Sequence, residues 1–239
     1  MKKLFAIFGL AVAAIIAIAA YPYVQMTDGK ILVTDGKIRF ALIPDLLDED
    51  CADISDWVDD DEGTAVSEVS PAGQFRFDTN LGAAENAKAV RTRVITSPPD
   101  KFTIKIKTYF DALGTVANND RMLFYGSSTT TWQFLVNFAS DGLFVYKTEG
   151  ATTEVGADIV KCNVGAAWQI WRFQIDKSGG EDAATVEVFL DGVSQGTFDC
   201  DHETMPVVGQ IQIRQLGYFT DNIVSHIDYL KIATGLGTI

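Results

Sequence analysis

Period-two alternation of apolar and polar residues, repeated in short runs and broken by turn residues, constrains this chain more than any other feature. In "KFTIKIKTYF", Phe102, Ile104, Ile106 and Phe110 fall on one face, and Lys101, Thr103, Lys105, Lys107 and Tyr109 on the other. Successive strand side chains point to opposite sides, so this is the pattern of a strand with one face buried. "WQFLVNFASDGLFVYKT" reads as two strands around a Ser140-Asp141-Gly142 turn, and "WQIWRFQI" sets Trp171, Phe173 and Ile175 against Trp168 and Ile170. "TVEVFLDGVSQGTF" groups Val186, Val188 and Leu190, then reverses at Asp191-Gly192. Asp-Gly supplies the positive φ angles of a two-residue hairpin loop, so Asp191 is read as a turn residue and not as a metal ligand or catalytic acid. "GQIQIRQLGYF" and "SHIDYLKIA" complete the set, and beyond the N-terminal apolar run only "GAAENAKAVR" offers weak helical periodicity. Short strands with regular turns predict an all-β sandwich or barrel.

At 239 residues the chain is long enough for one large β domain with a well-buried core. Its net charge of -13 argues against nucleic-acid binding, which needs Lys and Arg for phosphate contacts. Lys2 and Lys3 precede an apolar run from Leu4 to Ala20, and Ala17-Ile18-Ala19 resembles a small-residue cleavage site. Residues 1–20 therefore read as a signal peptide or, if retained, a membrane anchor, and either predicts an exported protein. Extracellular space or cell surface is the expected location, with periplasm or virion as further options.

Residues 21–44 carry "TDGKILVTDGKIRF", in which Asp35-Gly36 should join two short strands, Ile31 to Thr34 and Lys37 to Ala41. A lone hairpin is marginal in water. It therefore needs a surface to bury Ile31, Leu32, Val33, Ile38, Phe40 and Leu42, either on its own domain or on a second subunit. From Asp45 to Glu62 there are ten acids and no Lys or Arg. This stretch reads as a solvated acidic loop, or else as a calcium site built from Asp56, Asp59, Asp60 and Asp61, because hard cations take carboxylate oxygens. It lacks the EF-hand pattern, and Trp57 within it reads as a packing anchor.

The cysteines are Cys51, Cys162 and Cys200. Export makes a disulfide possible, and Cys162 and Cys200, both at predicted strand ends, form the favoured pair, with three free thiols as the alternative. No Cys-x-x-Cys spacing occurs, and only His202 and His226 could assist a zinc site, which makes structural zinc improbable.

Three segments in order carry a family resemblance: the Trp strand "AAWQIWRFQID", the Asp-Gly strand "TVEVFLDG" and the final strand "HIDYLKIA". They resemble the concanavalin A-like lectin/glucanase superfamily, and within it the laminin-G-like domains, which carry a Trp strand, a "V.VYVDG" strand and an "IDEVRI"-like last strand. The upstream "SPAGQFRFDTN" resembles their early strand. The resemblance covers about residues 53 to 235, and we take 45–239 as the domain. It implies a jelly-roll β-sandwich of two antiparallel sheets, one concave. Members include lectins, adhesion modules, glycosidases and polysaccharide lyases.

The enzymatic motifs of that superfamily are missing. A Glu-x-Asp-x-Glu strand is absent, and the nearest imitation, Glu187 and Asp191, has Phe189 in the middle and Asp191 in a turn. Against the "R.E.R" and "QIH" strands of jelly-roll alginate lyases, Thr92 stands between Arg91 and Arg93, and Gln212 stands where the histidine belongs. The expectation is a non-catalytic module serving structural assembly or adhesion, with self-assembly through residues 21–44. The alternative is glycan binding by Tyr109, Tyr125, Trp132, Tyr146 and Asn137, aromatics stacking on sugar faces and an amide reaching hydroxyls.

Overall fold

The structure, a computed structural model, describes residues 30–34, 37–41, 45–79, 87–95, 99–113, 121–125, 132–139, 142–149, 151–155, 164–165, 167–180, 183–199, 210–217, 222–237 and 239. The expectations for residues 1–20, for His202 and for the Cys162–Cys200 pairing lie outside them. The strands are β1 (Lys30–Thr34), β2 (Lys37–Ala41), β3 (Asp45–Glu49), β4 (Val58–Asp59), β5 (Val66–Val69), β6 (Phe75–Asp78), β7 (Ala87–Val94), β8 (Lys101–Ala112) and β9 (Arg121–Tyr125). They continue with β10 (Trp132–Ala139), β11 (Gly142–Glu149), β12 (Ala151–Val155), β13 (Gln169–Asp176), β14 (Thr185–Leu190), β15 (Val193–Asp199), β16 (Gln210–Gly217) and β17 (Val224–Thr234). No α-helix occurs among the described residues, and none of their helices is long and apolar enough to cross a membrane.

The chain divides into two compact units, Met1–Leu42 and Ile43–Ile239. In the first, β1 and β2 pair antiparallel with Thr34 opposite Lys37, the register that Asp35-Gly36 predicts. Opposed residues share a face, so Ile31, Val33, Ile38 and Phe40 form one face, whereas Leu32 lies opposite Arg39 on the other. The sequence reading had grouped Leu32 with the apolar set, and the register separates it.

The second unit is a sandwich of two antiparallel sheets. One has seven strands in the order β12-β11-β10-β9-β16-β7-β4; the other has eight in the order β15-β14-β13-β8-β17-β6-β5, with β3 also pairing β17. Alternation builds the core as predicted: β13 alternates buried and half-buried residues along its length, and Trp171, Phe173, Ile104, Ile106, Val186 and Val188 are fully buried. Phe138 from the seven-stranded sheet closes the layer, with ring centroids 5.5 Å from Phe110, 5.4 Å from Trp171 and 6.4 Å from Phe173. Gln215 Nε2 donates to Ser225 Oγ, joining β16 to β17 through the core and giving two inward-facing polar groups a partner.

Two sequence expectations change here. The described half of the weakly helical "GAAENAKAVR", from Ala87 to Arg91, is strand, because Ala87–Val94 is paired along its whole length by β16; tertiary pairing overrides the modest helix preference of Ala and Lys. The acidic stretch is a solvated loop only in its middle, between two strands. Asp45–Glu49 is a strand on β17, with Leu47 and Glu49 each 5% exposed, and Val58–Asp59 pairs with β7 in the other sheet. The acidic segment thus crosses from one sheet to the other.

The carboxyl end of the chain lies over the outer face of the eight-stranded sheet. Thr103 Oγ1, Gln174 Nε2 and Lys105 Nζ donate to the carbonyls of Gly235, Gly237 and Ile239 at 2.8, 3.0 and 2.5 Å.

Candidate functional site

The seven-stranded sheet brings together most of the ligand-type residues. Across β16, β9, β10 and β11, register aligns Gln210, Tyr125 and Trp132 in one row. A second row holds Thr92, Gln212, Leu123, Leu135, Tyr146 and Glu154, and a third holds Val90, Arg214, Arg121, Asn137 and Phe144. The intervening parity carries the buried Ile211, Ile213, Val136, Phe138 and Leu143. Along β16 successive residues alternate faces, so Gln210, Gln212 and Arg214 stand on the face away from the buried Ile211 and Ile213, and a register shift between Trp132 and Phe134 is what sets Trp132 opposite Tyr125. Register thus brings Tyr125, Trp132, Asn137 and Tyr146, far apart in sequence, onto neighbouring strands of one sheet. At about 3.3 Å per residue along β9, Arg121 and Tyr125 stand about 13 Å apart, so the surface is long enough for an extended ligand.

Tyr109 does not belong to it. It lies on β8 of the other sheet, where its ring sits 5.6 Å from Trp168 and 6.2 Å from His226. His226 Nε2 is 3.0 Å from Asp111 Oδ2, Lys107 Nζ lies 5.0 Å over the Trp168 ring, and Lys107 also pairs with Asp228 at 2.7 Å. Local sequence cannot separate Tyr109 from Tyr125, because both stand on strands; sheet membership separates them.

The face also contains residues that motif reading passed over. Gln212 is 5% exposed and donates from Nε2 to Thr92 Oγ1 at 3.1 Å, which fixes the amide against β7. Arg214 is half-buried on the next outward position of β16, and its Nε is buried without a hydrogen-bond partner. The available signal was the alternation of "GQIQIRQ", in which two apolar inward positions separate three polar outward ones.

Asp56, Asp59, Asp60 and Asp61 do not converge on a cation. Among the described residues no three His, Cys, Asp or Glu side chains come together as a metal-holding group. The acids face arginines and hydroxyls instead. Asp56 accepts from Arg93 Nη2 at 3.1 Å, and Asp59 from Arg91 Nη2 at 3.1 Å. Asp61 accepts from Ser67 Oγ at 2.8 Å and from the Val90 amide at 2.6 Å, while Asp60 is exposed and its amide donates to the Val90 carbonyl. Arg91 and Arg93 face the interlayer edge, and their charge is what the acidic segment neutralises there.

Trp57 is the packing anchor its setting suggested. It is 3% exposed, its ring meets Phe75 edge-on at 5.7 Å, and its Nε1 donates to Glu49 at 2.9 Å. The imitation acid pair is likewise engaged: Glu187 accepts from Ser194 Oγ at 2.7 Å, and Asp191, at φ 49°, accepts the Ile170 amide at 2.9 Å. Asp191 is the turn residue, and it also fastens its hairpin to β13.

No family model and no curated protein sequence matches the chain. Solved structures do. The chain is similar to the endo-β-1,4-glucuronan lyase of the fungus Trichoderma reesei, with a TM-score of 0.61 and 8% identity over 80% of this chain and 96% of that one. It is similar to the metal-free carbohydrate recognition domain of Emp46p, with a TM-score of 0.52 and 11% identity over 82% and 96%. A third likeness is to botulinum neurotoxin type C, whose cell entry depends on two ganglioside molecules; the TM-score is 0.52 and the identity 11%, over 76% of this chain and 44% of that chain. The fold is a jelly-roll β-sandwich of the lectin-like kind these structures share. At these identities the likeness concerns the jelly roll alone, and the chemistry of the site rests on this chain's own residues.

Proposed function

We propose that this jelly roll is a non-catalytic, lectin-like glycan-binding module of the laminin-G-like kind, exported and displayed at a surface. The observation that supports the reading is the register, which sets Tyr125, Trp132, Asn137 and Tyr146, far apart in sequence, in adjacent rows of one sheet with Thr92, Gln212 and Arg214. Aromatic rings offer flat apolar surface to pyranose faces, and amides, hydroxyls and a guanidinium suit sugar hydroxyls and acids. Similar folds include a carbohydrate recognition domain, a ganglioside-dependent toxin and a glycan lyase, which agrees with a glycan partner. The non-catalytic part is supported by the hydrogen-bonded state of Glu187 and Asp191, and by the place of His226 on the opposite sheet.

Affinity electrophoresis of the full chain through gels containing a panel of polysaccharides tests the reading. Retardation by at least one glycan is expected, lost in Trp132→Ala and Tyr125→Ala variants of unchanged melting temperature. No retardation by any glycan removes the reading, and steady release of cleaved product would make the protein an enzyme.

A structural role is the second reading, favoured by the all-apolar register face of Ile31, Val33, Ile38 and Phe40 in the separate N-terminal unit. An Ile38→Asp variant should then lose an oligomer seen by light scattering. Identical mass and melting in the variant would show the hairpin to be an idle tether.

A further inference from the structure

We propose that the segment after Thr234, described at residues 235–237 and 239, is a displaceable strap over an oxyanion-binding position on the outer face of the eight-stranded sheet, and that a carboxylate or sulfate group reaches this position by exchanging with the strap. The position is a grid of four donors set by register. Thr103 lies opposite Gln174 across β8 and β13, and Lys105 lies opposite Arg172. Cross-strand partners stand about 4.5–5.5 Å apart and residues two along a strand about 7 Å, so the four frame a patch the size of one small oxyanion.

The strap already fills the grid with oxygens. Thr103 Oγ1, Gln174 Nε2 and Lys105 Nζ donate to the carbonyls of Gly235, Gly237 and Ile239, and the Gly237 amide returns to Thr103 Oγ1 at 3.3 Å. Thr103 stands at an outward position of β8 between Lys101 and Lys105, yet it is 0% exposed, so the strap must leave before a ligand reaches its hydroxyl. Arg172 completes the grid with its guanidinium 3.8 Å from the Phe189 ring centre and its Nε buried without a hydrogen-bond partner. The acids of the adjoining register positions are engaged: Asp176 with Lys101, Asp48 with Lys231, and Glu187 with Ser194 Oγ. A hydrogen bond between ionised groups is about twice as strong as a neutral one, and the carbonyls of Gly235 and Gly237 are neutral, so an oxyanion is the better acceptor for Lys105 and Arg172. The strap is also lightly held. Gly235, at φ 84°, turns the chain off β17, and Leu236 is 44% exposed, so the hold comes from backbone bonds and not from apolar burial. Segments with few buried apolar contacts open far more readily than the core.

Amide hydrogen exchange and NMR titration of the full chain test this, with sodium sulfate and sodium acetate each compared with sodium chloride at equal ionic strength. Exchange at Gly235 and Gly237 should be about tenfold or more faster than at Leu230 and Ile232 of β17, and faster again in sulfate or acetate. A response to sulfate alone assigns a sulfate-type ligand, and a response to acetate alone assigns a carboxylate. In Gly235→Ala, an added Cβ meets nothing within 4 Å, so the change strains only the positive φ of the turn. This variant should bind the responding anion about tenfold more tightly, because the strap competes less. Arg172→Gln should lose the response at an unchanged melting temperature. Strap exchange as slow as that of β17, equal effects of both anions and chloride, no tighter binding by Gly235→Ala, or an Arg172→Gln variant that responds like the parent would each overturn the proposal. The exchange measurement on the unaltered chain decides it even where a variant fails to fold.

Discussion

Arg93 Nη1 donates to Glu49 Oε2 at 2.5 Å, and the contact ties β7 of one sheet to β3 of the other. The Glu49 side chain is 6% exposed, and it also accepts from the Cys51 amide at 3.0 Å and from Trp57 Nε1 at 2.9 Å. One carboxylate therefore organises the turn after β3, the Trp anchor and the junction between the layers.

Glu49→Gln should lower unfolding stability by about 1.5–3 kcal/mol, because it removes the buried one of the two carboxylates on the Arg93 guanidinium, leaving only the exposed Asp56, and weakens charge-assisted bonds. Chemical denaturation of the variant measures this. A loss below about 0.5 kcal/mol, the level of an ordinary surface change, would show that the junction holds without it.

Phe138→Ala should cost about 3–5 kcal/mol, since its ring fills the space among Phe110, Trp171 and Phe173 and the rigid strands around it cannot collapse inward. Phe138→Leu should cost clearly less. Similar losses for both would place the effect in something other than the cavity.

Asp176 gives a pH signature. The hydrogen bond from Lys101, then those from Ser178, hold its carboxyl at about 2 against an ordinary 3.8. The native state favours the ionised form, so this contribution is complete above pH 3.8 and is lost as the pH falls toward about 2. Lys101→Met should raise the Asp176 titration midpoint toward the ordinary value, as read by carboxyl NMR. An unmoved midpoint would assign the shift to Ser178 alone.

Cys51 should be inert in the folded protein. Burial, and next the neighbouring Glu49 charge, push its thiol well above the ordinary range, and the residue is 0% exposed. Iodoacetamide at mildly alkaline pH should leave the Cys51 peptide unmodified in the native protein and alkylate it after denaturation, as seen by mass spectrometry. Prompt native labelling would show that this turn opens readily.

Much of this architecture is local information. Asp191-Gly192 specifies a two-residue reversal on its own, and the structure has φ of 49° and 84° there, with Leu190 opposite Val193. The alternation of β8 and β13 assigns Phe102, Ile104, Trp171 and Phe173 to the core without any knowledge of the neighbours, because a strand's side chains must alternate faces.

Alternation does not say on which sheet a residue stands. Tyr109 and Tyr125 have equivalent local patterns, and their separation onto different layers depends on β9 pairing with β16, whose residues lie nearly ninety positions further along the chain. The acidic stretch shows the same limit more sharply. A run without Lys or Arg looks solvated or cation-binding by composition, yet Arg91 and Arg93 arrive from β7 and turn Asp59, Asp56 and Glu49 into structural partners. Alternation is a property of neighbours along the chain and is legible there. Register and charge pairing between strands are settled by the folding of the whole sandwich, because they join residues that the chain keeps far apart.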